Sequence, residues 1–109
     1  MRTEEFTTGS TEAHRIAIKQ DYTLLMKILE NDPSLANAAD ENGWTPLHEA
    51  VRGNSEAVIE LLIEHGADVN AATKSGHTVL FLATEYKGED HSTVSLLKGL
   101  GAKMHKEEL

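Results

Sequence analysis

Asp90, His91 and Ser92 stand in a row in GEDHST, residues 88–93, and they are the three side-chain types of a charge-relay nucleophile. Such groups converge on one reacting atom from separated chain positions, because sequence neighbours point in different directions. The stretch reads better as a turn entering a helix, with Asp90 or Ser92 as N-cap and the acids beside the helix's positive end. The six histidines, His14, His48, His65, His77, His91 and His105, are the other chemistry-bearing set. No two have the His-x-x-x-His spacing, with a Glu between, that sets two imidazoles around a metal. The absence of cysteine removes thiol nucleophiles, disulfides and thiolate-held zinc together. No catalytic residue, metal or cofactor is expected, and the chain is not expected to be an enzyme.

The elements around these residues belong to a small folded chain. With 109 residues, 39% of them hydrophobic and 26% charged, it holds one domain or a short array of units sharing a core. A formal net charge of -8 offers no footprint for nucleic acid or an anionic membrane, so neither is expected as a partner. No stretch has the length and apolarity of a signal peptide or a membrane span. A cytoplasmic location is therefore expected. The final Lys106, Glu107, Glu108 and Leu109 resemble an endoplasmic-reticulum retrieval signal, which would matter only if a leader were missing.

The chain repeats itself. Shifted by 33, Gly43, Thr45, Leu47 and Ala50 fall on Gly76, Thr78, Leu80 and Ala83. In the other direction Ala50, Leu62, Asn70, Ala71 and Ala72 fall on Ala17, Leu29, Asn37, Ala38 and Ala39. Leu61, Leu62, Gly66 and Ala67 recur 35 residues on as Leu96, Leu97, Gly101 and Ala102, which puts a two-residue insertion in residues 85–90. Each unit predicts helix, tight turn, helix and loop. In the central unit Thr45 is the expected N-cap and Pro46 the first helical residue, with a helix over 46–52. Gly53 and Asn54 are expected to break it in the left-handed conformation, with Asp21 in the place of Asn54 in the first unit. A second helix over 55–65 should end at Gly66. Its Ala57, Val58, Ile59, Leu61, Leu62 and Ile63 leave Glu56, Glu60 and Glu64 as one charged stripe, the pattern of a helix covered from both sides. Lys98 and Gly99 take the places of Ile63 and Glu64 in the third unit, a more polar outer face.

These residues resemble the ankyrin repeat. DENGWTPLHEA (40–50) carries its Asp, Gly and Thr-Pro-Leu-His-x-Ala elements, and LLIEHGADVNA (61–71) its Leu-Leu and Gly-Ala-Asp-x-Asn close. The first unit departs from the pattern, with EAHR in the place of Thr-Pro-Leu-His and NDPSLANAAD in the place of the Gly-Ala-Asp turn. The third has HTVLFLA, where Val79 replaces Pro and Phe81 replaces His. The resemblance implies an all-α solenoid of helix-turn-helix repeats with projecting loops: a tail over 1–7, repeats over 8–39, 40–72 and 73–105, and a tail over 106–109. It makes Thr45, Pro46, Leu47, His48, Ala50, Gly66 and Asp68 scaffold.

The resemblance also implies a non-enzymatic protein-binding module that uses loop tips and the first-helix face. The residues the scaffold does not need are then the candidate contacts: Glu41, Asn42, Trp44, Glu49, Arg52 and His65 in the central unit, and Lys74, Ser75, His77, Leu82 and Glu85 in the third. Trp44 and Arg52 are of the types over-represented among interface hot spots, although the indole can equally cover the adjacent loop. Leu82 is either an exposed contact or part of the core. Asn70, after Asp68 and Val69 and eight residues beyond Leu62, is similar to sites of asparaginyl hydroxylation in such repeats, whereas its amide can equally bond loop backbone. The expected partner is a protein, and the chain is expected to be a monomer or weak homodimer. A dedicated inhibitor or immunity-type protein, and a regulatory domain of a larger enzyme, are the alternatives.

Overall fold

The computed structural model describes residues 9–53 and 55–105. The expected tails over 1–7 and 106–109, and Asn54 as a turn residue, lie outside the described residues. Among the described residues six α-helices follow one another in pairs: α1 Glu12–Lys19 with α2 Tyr22–Asn31, α3 Pro46–Gly53 with α4 Glu56–Glu64, and α5 Val79–Lys87 with α6 Ser92–Gly99. A 3₁₀ turn, Pro33–Asn37, follows α2. Among the described residues there is no β-strand, only an isolated bridge between Ala72 and Thr78. The fold is an all-α helical repeat. Four residues, 88–91, separate α5 from α6, two more than separate α3 from α4.

Local chemistry sets the helix starts. Thr45 Oγ1 accepts from His48 N at 3.4 Å, and His48 Nδ1 returns the favour by accepting from Thr45 N at 3.1 Å. Thr11 and His14 form the same reciprocal pair at 3.4 and 3.0 Å. The first unit therefore matches the second as Thr11, Glu12, Ala13 and His14, one residue earlier than a shift of 33 places it. The shift returns to 33 by Asn37, so the first unit holds one extra residue between Asp21 and Asn37. Thr78 opens α5 by accepting from Phe81 N at 3.2 Å. The second helices start on Asp21 and Ser55, which accept from Leu24 N and Val58 N, both at 3.2 Å. Asp21 thus matches Ser55, not Asn54.

Two expectations about the turns are corrected. The cap of α6 is neither Asp90 nor Ser92 but His91, whose Nδ1 accepts from Thr93 N at 3.1 Å. Ser92 is already inside the helix, and its hydroxyl donates to the Glu56 carboxylate instead. Gly53 is not left-handed. It closes α3 against Ile18, where a Cβ would stand 3.1 Å from a backbone carbonyl oxygen. The left-handed residue of the equivalent turn in the first unit is Gln20, at φ 64°.

At the other end of α4, Gly66 does adopt φ 96°. Gly66 N donates to Ile63 O at 3.0 Å and Ala67 N to Leu62 O at 2.9 Å, the paired bonds that close the last turn. Gly101 and Ala102 close α6 in the same way at 3.1 and 3.0 Å.

The helices stack in two rows, α3 between α1 and α5 and α2 against α4, with each first helix packed on its own second helix. Ala13, Ala17, Ala50 and Ala83 are fully buried on the first helices, where small side chains allow close approach. Leu25, Leu29, Leu47, Ile59, Leu62 and Leu97 fill the space between the rows. Each such side chain contributes roughly 1.5–3 kcal/mol relative to exposure. On α4, Val58, Ile59, Leu61 and Leu62 are buried, but Ile63 is only half-buried and Ala57 is exposed, so the covering is less complete than the pattern implied.

Candidate functional site

Two hairpin loops precede α3 and α5. In the first, Asp40 N donates to Trp44 O at 3.0 Å and Gly43 N to Asp40 O at 2.9 Å. The buried Asp40 carboxylate gathers Asn42 N at 2.8 Å and Trp44 N at 3.0 Å through one oxygen. In the second loop Thr73 repeats the arrangement, with Thr73 N donating to His77 O at 3.0 Å and His77 N to Thr73 Oγ1 at 3.1 Å. The loops touch through Lys74 N donating to Asn42 O at 2.9 Å. This contact needs Gly43, because a Cβ there would lie 2.9 Å from Lys74 N.

Histidines lock each loop to the first helix of the preceding pair, α1 or α3. His14 Nε2 donates to Trp44 O at 2.7 Å, and His48 Nε2 donates to His77 O at 3.1 Å. In both rings Nδ1 faces a backbone N–H, so the proton belongs on Nε2. Burial pulls the His48 pKa down to about 4, against the His77 carbonyl and the Asp40 charge, which favour the cation. Phe81 cannot make this bond. Its ring stacks on His77 at 4.8 Å, and the Thr78 hydroxyl instead lies 2.8 Å from Lys103 O and 2.9 Å from Met104 O.

The candidate contacts divide as follows. Glu41, Asn42, Lys74 and Ser75 are exposed on the loops, and Glu85 is exposed on α5. Lys74, Ser75 and His77 line a shallow groove with Phe81 and His105. Phe81 and His105 were not among the sequence candidates. The signal for Phe81 was its place at the histidine position, where an aromatic ring has no bond to make and is left over the loop. Trp44 is half-buried, its ring 5.1 Å from His48, and its indole N–H is shut off from solvent without a well-aligned acceptor. Glu49 lies 3.1 Å from Arg52. Burial raises the Glu49 pKa, while Arg52 and the nearby indole N–H favour its charged form. His65 is half-buried, its Nδ1 donating to Leu61 O at 2.9 Å, an intrahelical contact. Leu82 is buried at 5% exposure, which removes it from the candidate surface. Neighbours Val79, Leu80 and Ala83 are buried with it, and Phe81 is the residue of that run left open.

Asn70 is a joint between units. Its amide donates to Gly101 O at 3.3 Å and accepts from Lys103 N at 2.8 Å. Asn37 clamps the next turn in the same way, through Gly66 O at 2.8 Å and Asp68 N at 2.7 Å. Asp90, His91 and Ser92 do not form a catalytic group, since His91 caps α6 and Ser92 turns to Glu56. Among the described residues no three His, Cys, Asp or Glu side chains cluster as metal ligands, and no helix is long and apolar enough to cross a membrane.

The family profile described as ankyrin repeats, in three copies, matches residues 13–108. The chain belongs to the ankyrin-repeat family. The human 2-5A-dependent ribonuclease is 41% identical to this ankyrin-repeat chain over 79 residues, covering 69% of the chain and 11% of the relative. Chicken inversin is 34% identical over 98 residues, 90% of the chain and 9% of the relative. An ankyrin repeat-containing protein of Schizosaccharomyces pombe is 46% identical over 46 residues, 42% of the chain and 22% of the relative. The chain thus spans under a quarter of the length of these relatives, matching ankyrin-repeat regions of larger proteins. Ankyrin repeats are generally protein-interaction modules and typically not enzymatic.

Proposed function

We propose that this ankyrin-repeat chain binds one partner protein through the loops over 40–44 and 73–77 and the adjoining face of α3 and α5. The observation that carries the reading is a strip of side chains the scaffold leaves unused, from Glu41 and Asn42 at one loop tip to the groove over Lys74, His77, Phe81 and His105. Rigid loops tied by backbone and histidine bonds hold that strip in place before a partner arrives, which lowers the ordering cost of binding. The share of each relative that the chain covers favours this strip acting as the recognition region of a larger assembly or longer protein.

Affinity capture from a lysate of the source organism tests it, with the wild type and an Arg52→Glu, Lys74→Glu variant as baits. Both residues are exposed, and circular dichroism must first show that both baits fold, because Arg52→Glu also removes the ion pair with Glu49. A partner held by the wild type and lost by the variant supports the face. Identical captures by both baits overturn it.

A further inference from the structure

A second groove of about 370 Å³ lies on the other row of helices, lined by Tyr22, Ala57, Glu60, Leu61 and Glu64. Its floor is apolar. Leu61 is buried at 2% exposure, Ala57 is exposed, and Tyr22, which lines the same groove, is 41% exposed. Glu60 and Glu64 stand one turn apart on the same wall of α4, and among the described residues neither carboxylate has a hydrogen bond or ion pair. Glu56, the third acid of the stripe, is occupied by the hydroxyls of Ser92 and Thr93. The neighbouring α2 offers one cation, Lys27, which pairs with neither. The fold does not use Glu60 and Glu64. Like charges four apart on a helix repel, and Glu64 sits at the negative end of α4, where the last turn carries no basic residue.

We propose that this groove receives an arginine side chain from a basic segment of a partner protein. The Tyr22 ring provides a flat face for a guanidinium, and two carboxylates about 5–6 Å apart at their Cβ atoms suit its forked donors. The aliphatic stem lies over Ala57 and Leu61. The net charge of -8 draws a basic segment towards the chain. Ammonium groups gain less here, because a lysine presents a point charge and no plane to stack. This site is separate from the loop face and does not depend on the partner proposed for it.

The test is a titration of the full chain with a fluorescein-labelled nine-residue peptide carrying arginines four apart among alanine and leucine, with its lysine counterpart as control. Anisotropy gives the affinity, and backbone amide NMR shifts give the location. The arginine peptide should bind saturably and more tightly than the lysine peptide, with shifts centred on Tyr22, Ala57, Glu60 and Glu64. Glu60→Gln with Glu64→Gln should weaken it at least roughly tenfold while raising the melting temperature by about 2–5 °C. Tyr22→Leu should narrow the difference between the two peptides, and the Arg52→Glu, Lys74→Glu variant should bind no more weakly than the wild type, its added negative charge favouring both peptides alike. No saturable binding up to about 1 mM, equal affinity for the two peptides, unchanged affinity in the double glutamine variant, or shifts centred on the loops would each overturn the proposal.

Discussion

His48 makes acid stability a quantitative test of the loop joints. Its imidazole is 0% exposed, with Nδ1 facing Thr45 N and Nε2 bonded to His77 O. A proton added at Nδ1 would point at an N–H and bury a charge, and burial holds the pKa at about 4 rather than 6.5. The unfolded chain therefore takes up a proton near pH 6.5 and the folded chain does not until about pH 4. Below pH 6.5 the unfolded state binds more protons, so stability falls as pH falls. At pH 5 the loss is about 2 kcal/mol relative to pH 7.5, which lowers the melting temperature by roughly 8 °C for a chain of this size. The raised Glu49 pKa works the other way, adding stability as pH falls through it. Comparison with His48→Gln cancels that background, because Gln keeps a polar tip and does not titrate. Urea unfolding of both proteins at pH 7.5 and 5.0 should show the wild type losing about 2 kcal/mol more. Equal losses would refute the reasoning. If the variant does not fold, an NMR titration of His48 in the wild type decides the matter, and a midpoint near 6.5 would refute it equally.

Gly43→Ala and Gly66→Ala separate space from backbone conformation. Both glycines have positive φ, but a Cβ at Gly43 meets Lys74 N at 2.9 Å while one at Gly66 meets nothing within 4 Å. The Gly66 variant should lose about 1 kcal/mol and the Gly43 variant clearly more, and equal losses by urea unfolding would dissolve the distinction. Leu82→Ala should cost about 2–5 kcal/mol, whereas a loss below about 0.5 kcal/mol, as for a surface site, would return Leu82 to the binding face.

The helices and their glycine closures were legible because they rest on short-range rules. Thr45 before Pro46, and Gly66 and Gly101 after apolar runs, each announce their role within a few residues. What was not legible depended on neighbours far along the chain. Leu82 sits in Val-Leu-Phe-Leu-Ala, residues 79–83, an unbroken apolar run in which no period says which side chain faces out. Asp90 and Ser92 are ordinary caps by type, but His91 holds the position and Ser92 has a better partner in Glu56, 36 residues away. The first unit's register was misplaced for a related reason. Small Ala17 matches Ala50 at a shift of 33, while the Thr11 and His14 pair that opens the helix sits at 34. On the candidate face, the loop tips followed from the repeat. Phe81 and His105 did not, since they line a groove with residues that only the fold brings near.

The joints between units are polar as well as apolar, and this shapes what the face can do. His14, His48, Asn37 and Asn70 each spend two hydrogen-bonding positions on backbone, and each bridges to the following unit. At the two part-buried histidine joints, a backbone carbonyl left without its partner costs about 1–3 kcal/mol, so those imidazoles are not free to vary with the partner, while the asparagine joints lie in exposed turns where water competes for the same groups. Residues on the loop tips carry no such duty. The third unit has Phe81 where the histidine would stand, and Thr78 takes over the bond to the next segment. That exchange releases one aromatic ring from the scaffold. It places the ring beside His77 and His105, at the spot where the exposed strip deepens into a groove.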